Sequence, residues 1–192
     1  NGLEKLEYRG YDSAGVAYVQ DGKMKVVKTK GRLQNLRDKL GDASQENTIG
    51  IGHTRWATHG EPSDINSHPH TNVSGSLAVV HNGIIENFLK LKEWLQEKGV
   101  HFVSETDTEV VAHLVNYYYE GDLKTAVMKA VKMLEGSYAL GVVTVKEPDR
   151  IVAVRKDSPL IVGIGKGENL IASDVPAILE YTRDVYFLDD NE

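Results

Sequence analysis

The sequence predicts an α+β domain in which antiparallel sheets carry helices on their faces. Three observations point there: strand-like segments come in groups toward both ends, two amphipathic helices follow one another in the middle, and the strict alternation of a doubly wound sheet is missing. With 192 residues, 41% of them apolar and 26% charged, one large globular domain is the expected size. The 22 basic and 28 acidic side chains leave a net charge of −6, which argues against a nucleic-acid or anionic-membrane binder. No run approaches the roughly 18 apolar residues of a membrane span, and no secretory leader pattern opens the chain, so a cytoplasmic protein is expected. Cysteine is absent, which excludes disulfides, thiolate metal sites and a cysteine nucleophile within these residues.

Leu3 and Leu6 share one face of a short helical segment that Gly10 ends; it reads as the tail of a longer helix. Ala14 to Gln20 and Lys23 to Lys30 form a hairpin around the two-residue turn Asp21-Gly22, with Met24 and Val26 on one face. Lys23, Lys25, Lys28, Lys30 and Arg32 make the one basic cluster, read as a solvated hairpin surface without a function. Leu33, Leu36 and Leu40 followed by Gly41 give a short amphipathic helix, and Thr48 to His53 a strand. Thr54 to Gly75 shows little periodicity but much Gly, Pro, Ser, Asn and His, and so long a loop within a domain points to function. Ser76 to His81 is a buried strand and Phe88 to Lys98 a helix with Phe88, Leu91 and Leu95 inward. Thr106-Asp107-Thr108-Glu109 has capping-box form and starts a helix striped by Val110, Val111, Leu114, Val115 and Tyr118; Leu123 to Leu134 repeats the pattern. Short strands follow at Tyr138 to Val145, Ile151 to Arg155, Leu160 to Ile164 and Leu170 to Ala172. Ser173 then caps a short helix with Pro176 in its first turn, and Val185 to Leu188 closes as a strand.

Several residues in this frame invite chemistry. Five of the seven histidines, His53, His59, His68, His70 and His81, lie between positions 53 and 81. A hydrolytic metal centre on His53, His59, His68 and His70, with Glu61 or Asp64 as carboxylate ligand, is one reading of that cluster. No HExxH helix or second compact ligand pair supports it, and hydrogen-bonding histidines are the commoner outcome. Arg55 at a strand end is suited to grip a carboxylate with two parallel hydrogen bonds, although a surface ion pair needs no more than the same spacing. Asn82-Gly83 reads as a tight turn; its amide and backbone N–H also suit an oxyanion hole. Asp107 at a helix start is stabilised by the helix dipole whatever its purpose, and in a pocket it would partner an ammonium. Arg55 and Asp107 together would recognise the zwitterionic end of a free amino acid.

Five ordered blocks carry a resemblance. Arg9-Gly10-Tyr11-Asp12-Ser13-Ala14-Gly15, His53-Thr54-Arg55-Trp56-Ala57-Thr58-His59-Gly60, Asn66-Ser67-His68-Pro69-His70, Val80-His81-Asn82-Gly83 and Ser104-Glu105-Thr106-Asp107-Thr108-Glu109 resemble class II glutamine amidotransferases. Within that class they resemble the glutaminase domains of the glutamine–fructose-6-phosphate aminotransferase family more than those of amidophosphoribosyltransferases. The resemblance covers essentially residues 1–192 as a single type 2 amidotransferase domain, and it implies a four-layer αββα sandwich of the N-terminal-nucleophile hydrolase type.

The implied reaction is hydrolysis of L-glutamine to L-glutamate and ammonia, without metal or cofactor, by an N-terminal cysteine whose α-amine serves as base. The ammonia is then channelled to a sugar isomerase domain of the same homodimeric protein, giving glucosamine 6-phosphate. The implied site has Arg55 on the substrate carboxylate with Thr58, Asp107 on its ammonium, and Asn82 and Gly83 as the oxyanion hole. Residues 55–63 form a flap with Trp56 near the ammonia exit, while His59, His68, His81 and Arg9 surround the pocket. The family's first strand, beginning Cys-Gly, has no counterpart in these residues. The chain by itself is therefore expected to lack the first strand of the fold, to leave a sheet edge unpaired, and to hold glutamine or glutamate without hydrolysing it. A metal-dependent hydrolase and a non-catalytic amino-acid-binding module are the competing readings.

Overall fold

A computed structural model describes residues 2–41 and 47–192. A 3₁₀ turn at Glu4–Arg9 leads into β1 (Ser13–Gln20) and β2 (Lys23–Lys30), joined by Asp21 and Gly22 at φ 51° and 69°, the doubly left-handed turn that matches strand twist. Helix α1 (Leu33–Leu40) and β3 (Gly50–Arg55) follow, the strand running two residues beyond the predicted end at His53. β1 is central in the antiparallel sheet β2-β1-β3.

The second sheet is built from β4 (His70–Thr71), β5 (Leu77–Ile85), β6 (Gly136–Thr144) and β7 (Glu147–Lys156) in the order β4-β5-β6-β7, antiparallel throughout. Helices α2 (Phe88–Glu97), α3 (Asp107–Tyr118) and α4 (Leu123–Val131) intervene between β5 and β6. The alternation of β5 decides the layering. Leu77, Val79 and Ile85 pack with α2–α4 in the main core, whereas Ala78 and Val80 meet Ala17, Ile49 and Ile51 of the first sheet. Because α1 covers the far side of the first sheet through Leu33 and Leu36 packed on Ala14, the layers run helix, sheet, sheet, helix. This is the predicted αββα sandwich. A third small sheet, β8 (Ile161–Ile164), β9 (Asn169–Ala172) and β10 (Val185–Phe187) in the order β10-β8-β9, packs with Ala177 and Ile178 beside a 3₁₀ turn at Val175–Ala177. Among the described residues, the outer edges of β3 and β9 pair with no further strand.

Three local expectations are corrected. Asn82-Gly83 is no turn: both residues lie inside β5, opposite Ala139 and Tyr138 of β6, because cross-strand pairing outweighs a two-residue propensity. The last cap is Asp174, whose carboxylate accepts the Val175 N–H, and not Ser173. The capping box forms only halfway. Thr106 Oγ1 accepts the Glu109 N–H at 3.3 Å, but Glu109 sends its carboxylate to the Ser104 N–H (2.6 Å) and the Val103 N–H (2.8 Å), while Ser104 Oγ takes the Thr106 N–H.

Candidate active site

One cleft of about 960 Å³ opens between the first sheet and the third, and β5 supplies its floor. Arg9, Arg55, Trp56, Thr58, His68, His81, Asn82, Gly83 and Asp107 all line it, so nine of the predicted site residues converge from five segments of the chain. His59 does not line it. Its ring packs edge-on against Phe88 at 4.9 Å, and its carbonyl takes a hydrogen bond from Arg55 Nη2.

Arg55 ends β3 with its side chain buried, 3% exposed. Its Nη2 caps the carbonyls of His59 and Gly60, which folds residues 56–60 back over the guanidinium, and its Nη1 has no partner among the described residues. Burial pulls the guanidinium pKa down from its ordinary value, and the charges of Asp107 and Asp12 work against that. A buried cation with one unspent donor in a cleft can donate to an anionic ligand oxygen. Asp107 sits at the first turn of α3, 3% exposed, where the helix dipole favours its charge. One oxygen accepts the Ile85 N–H at 2.9 Å, which ties the helix start to β5. Opposite charges therefore share the cleft.

Asn82 and Gly83 present an amide and a backbone segment from β5 toward the same space. Gly83 has φ 131°, a conformation that side-chain-bearing residues rarely adopt. Trp56 is 56% exposed at the mouth and meets the Tyr11 ring edge-on at 5.2 Å. Arg9 lies 3.7 Å from Asp174, so its charge is shared with the cap of the 3₁₀ turn that follows β9.

The histidines form a stack on the cleft wall, which His53, His68 and His81 line, with His68 4.5 Å from His53, 5.1 Å from His70 and 6.4 Å from His81 between ring centroids. Among the described residues no group of three His, Asp or Glu side chains is arranged to hold a metal ion, and Asp64 is spent on Lys39 and the Lys30 N–H. His81 Nδ1 instead meets Thr108 Oγ1 at 2.9 Å, and His70 Nε2 meets Thr106 Oγ1 at 3.0 Å. Thr108 and Asp12 are site neighbours that the sequence reading did not assign, although both sit inside the quoted blocks. Lys28 also departs from the solvated surface expected of it: burial pulls its amine down to about 8, and it donates to the Ile65 carbonyl at 3.0 Å.

The stack predicts acid sensitivity. Burial first, then the neighbouring His81 charge, lowers His53 to about 4; burial and the Lys28 charge lower His70 to about 3. Unfolded histidine titrates near 6.5, so above that pH neither residue affects stability. Below it the unfolded chain binds protons that the folded one refuses, and stability falls until the folded pKa is reached. At about 1.4 kcal/mol per unit, His53 alone removes on the order of 3 kcal/mol by pH 4. Glu109 adds a lower window. Burial opposes its ionisation, yet His113, the Ser104 hydroxyl and the Val103 and Ser104 N–H groups outweigh this and hold it near 2; its contribution is present above about 4.5 and lost as pH falls toward 2. Urea melts should therefore show a falling midpoint from pH 7 to pH 5. A flat profile there would refute the buried neutral stack.

Comparison with known proteins follows the same lines. A family model described as "Glutamine amidotransferase domain" matches residues 53–180. The chain belongs to that family. It is 65% identical over 191 residues, all of this chain, to the glutamine–fructose-6-phosphate aminotransferase (isomerizing) of Clostridium tetani, and 59% identical over 190 residues, 99% of the chain, to that of Aquifex aeolicus. It spans 31% and 32% of their respective lengths. Among solved structures it resembles the glutamine phosphoribosylpyrophosphate amidotransferase of B. subtilis complexed with ADP and GMP, with TM-score 0.80 and 28% identity over 97% of this chain and 40% of that one. The αββα sandwich of this amidotransferase domain is thus the N-terminal-nucleophile type.

Proposed function

We propose that this amidotransferase domain binds L-glutamine by both charges of its α-carbon and hydrolyses its side-chain amide, within a longer cytoplasmic, homodimeric protein whose sugar isomerase domain uses the ammonia to make glucosamine 6-phosphate from fructose 6-phosphate. The observation that carries this reading is the unpartnered, buried Nη1 of Arg55 sharing one cleft with the buried Asp107 carboxylate. An α-carboxylate satisfies the first and an α-ammonium the second, which leaves the side-chain amide to reach along the floor to Asn82 and Gly83. Thr58 also lines the cleft and would assist Arg55 at the carboxylate, while Trp56 and residues 56–60 would close over the ligand.

The attacking sulfur comes from a cysteine outside these 192 residues, since they contain none. Its thiolate forms a bond to the amide carbon while the carbonyl π electrons move to oxygen, and that oxyanion is met by the Asn82 amide and the Gly83 N–H. Collapse breaks the C–N bond, a proton passes from the cysteine's own ammonium to the leaving nitrogen, and ammonia departs. Water then cleaves the thioester to glutamate and the free thiol. The cleft is far larger than one amino acid requires and is lined by residues of β3 and β9, whose outer edges pair with no further strand among the described residues, which supports an extended, thiol-bearing segment lying between them.

Glutamate release from L-glutamine by the full-length protein tests the proposal, with Arg55→Ala as the diagnostic variant. Loss of a charged hydrogen bond of about 1.5–3 kcal/mol should raise KM roughly 10- to 100-fold with a much smaller change in kcat. No glutamate from a folded, cysteine-bearing enzyme, or an unchanged KM in the variant, would sink it.

A further inference from the structure

The block Arg9 to Gly15 contributes one residue, Arg9, to the cleft, yet its middle makes the closest approach to the start of the flap. Gly10 is packed so tightly on the end of β3 that a Cβ there would stand 2.8 Å from the Arg55 carbonyl carbon and 3.0 Å from the Trp56 nitrogen. Tyr11 holds the Trp56 ring edge-on. Asp12 is bonded to β3 and to the flap at once: its N–H donates to the Arg55 carbonyl at 3.1 Å, and its carboxylate Oδ2 accepts the Ala57 N–H at 3.0 Å. Its own carbonyl accepts the Gly31 N–H at 2.7 Å, so the segment is itself pinned to the hairpin.

We infer that Asp12 is the positioning residue of the flap, its carboxylate holding the Ala57 N–H and its own N–H holding the Arg55 carbonyl, so that Arg55 and Trp56 stand in register for an α-carboxylate ligand. The inference rests on the glutamine-binding reading for its ligand but not for its geometry. Three features support it. The bond to Ala57 lies two residues from the guanidinium and three before Gly60, so it fixes the near end of the fold whose far end Arg55 Nη2 caps. The Asp12 charge is one of two that sustain the buried Arg55 cation, and the other, Asp107, is the one a ligand ammonium would engage. The acceptor is a carboxylate rather than a hydroxyl, which makes the bond to Ala57 charge-assisted.

Two measurements on the full-length protein separate this from a merely structural role. In Asp12→Ala, amide hydrogen exchange of residues 56–60 should accelerate on the order of tenfold while β1 and β5 keep their protection; unchanged flap exchange overturns the proposal whether or not the protein hydrolyses glutamine. In steady-state kinetics the same variant should raise KM for L-glutamine roughly tenfold with kcat little altered, and Asp12→Asn, which keeps an acceptor for Ala57 without the charge, should fall between the two. On an Arg55→Ala background, Asp12→Ala should cost far less than it does alone. Additive losses would show that Asp12 does not act through Arg55 and would overturn the inference. If the wild-type protein makes no glutamate, the glutaminase reading fails, and the exchange result still decides the flap role.

Discussion

Gly83→Ala is expected to abolish glutamine hydrolysis and to lower the melting temperature by about 2–12 °C, taking about 1–3 kcal/mol for the backbone conformation alone and roughly 2–4 °C per kcal/mol in a chain of this size. Two penalties coincide at this residue. Its φ of 131° is one that only glycine adopts readily, and an added Cβ would run into the Ser137 carbonyl and lie 3.0 Å from the Tyr138 Cα on the paired strand. Those are backbone atoms held by the β5–β6 ladder, so they cannot turn aside as a side chain would. The local adjustment therefore moves the Gly83 N–H, which is the group proposed to meet the oxyanion. Gly121 offers the control, since its φ is 104° but nothing lies within 4 Å of a Cβ. Calorimetry of Gly83→Ala and Gly121→Ala separates steric conflict from dihedral strain, and an equal melting temperature for the two would remove the argument.

Asn82→Ala should act on rate and leave the fold alone. The residue is only half-buried on β5, its backbone pairing with Ala139 is untouched by the substitution, and alanine suits the strand as well. Removing one preorganised oxyanion donor costs about 100- to 1,000-fold in kcat, because the amide is worth most when negative charge has developed on the substrate oxygen. KM for L-glutamine should stay within a few-fold of wild type, the reverse of the split expected for Arg55→Ala. Steady-state kinetics on the two variants side by side is the measurement. A raised KM with intact kcat in Asn82→Ala would reassign the residue to ground-state binding.

Much of the fold was legible in the sequence because its signals are local. Asp21-Gly22 between two alternating runs specifies a hairpin, and the predicted β2, Lys23 to Lys30, is the observed one. Leu33, Leu36 and Leu40 with Gly41 after them gave α1 its length, and Thr106 took its N-cap position as predicted. Asn82-Gly83 shows where local signals mislead. The same dipeptide that closes hairpins elsewhere continues β5 here, since β6 offers it a full set of partners. The density of histidines left metal ligation open beside the commoner hydrogen-bonding role, and only the packing of the rings on one another and against Thr106 and Thr108 shows where they lie.

The amino-acid order alone determined most of the elements, though not the short β4 or the full reach of β5, the residues able to bear charge or donate to an oxyanion, and, through five spaced blocks, the family. Only the tertiary structure decided that Arg55 and Asp107 share one cleft, that Asn82 lies within a strand, and that Asp12 reaches across 45 positions to hold Ala57. The division has a physical cause. Periodicity, capping and turn chemistry depend on neighbours a few residues away, whereas desolvation, convergence of charges and cross-strand pairing depend on which distant segments the core brings together.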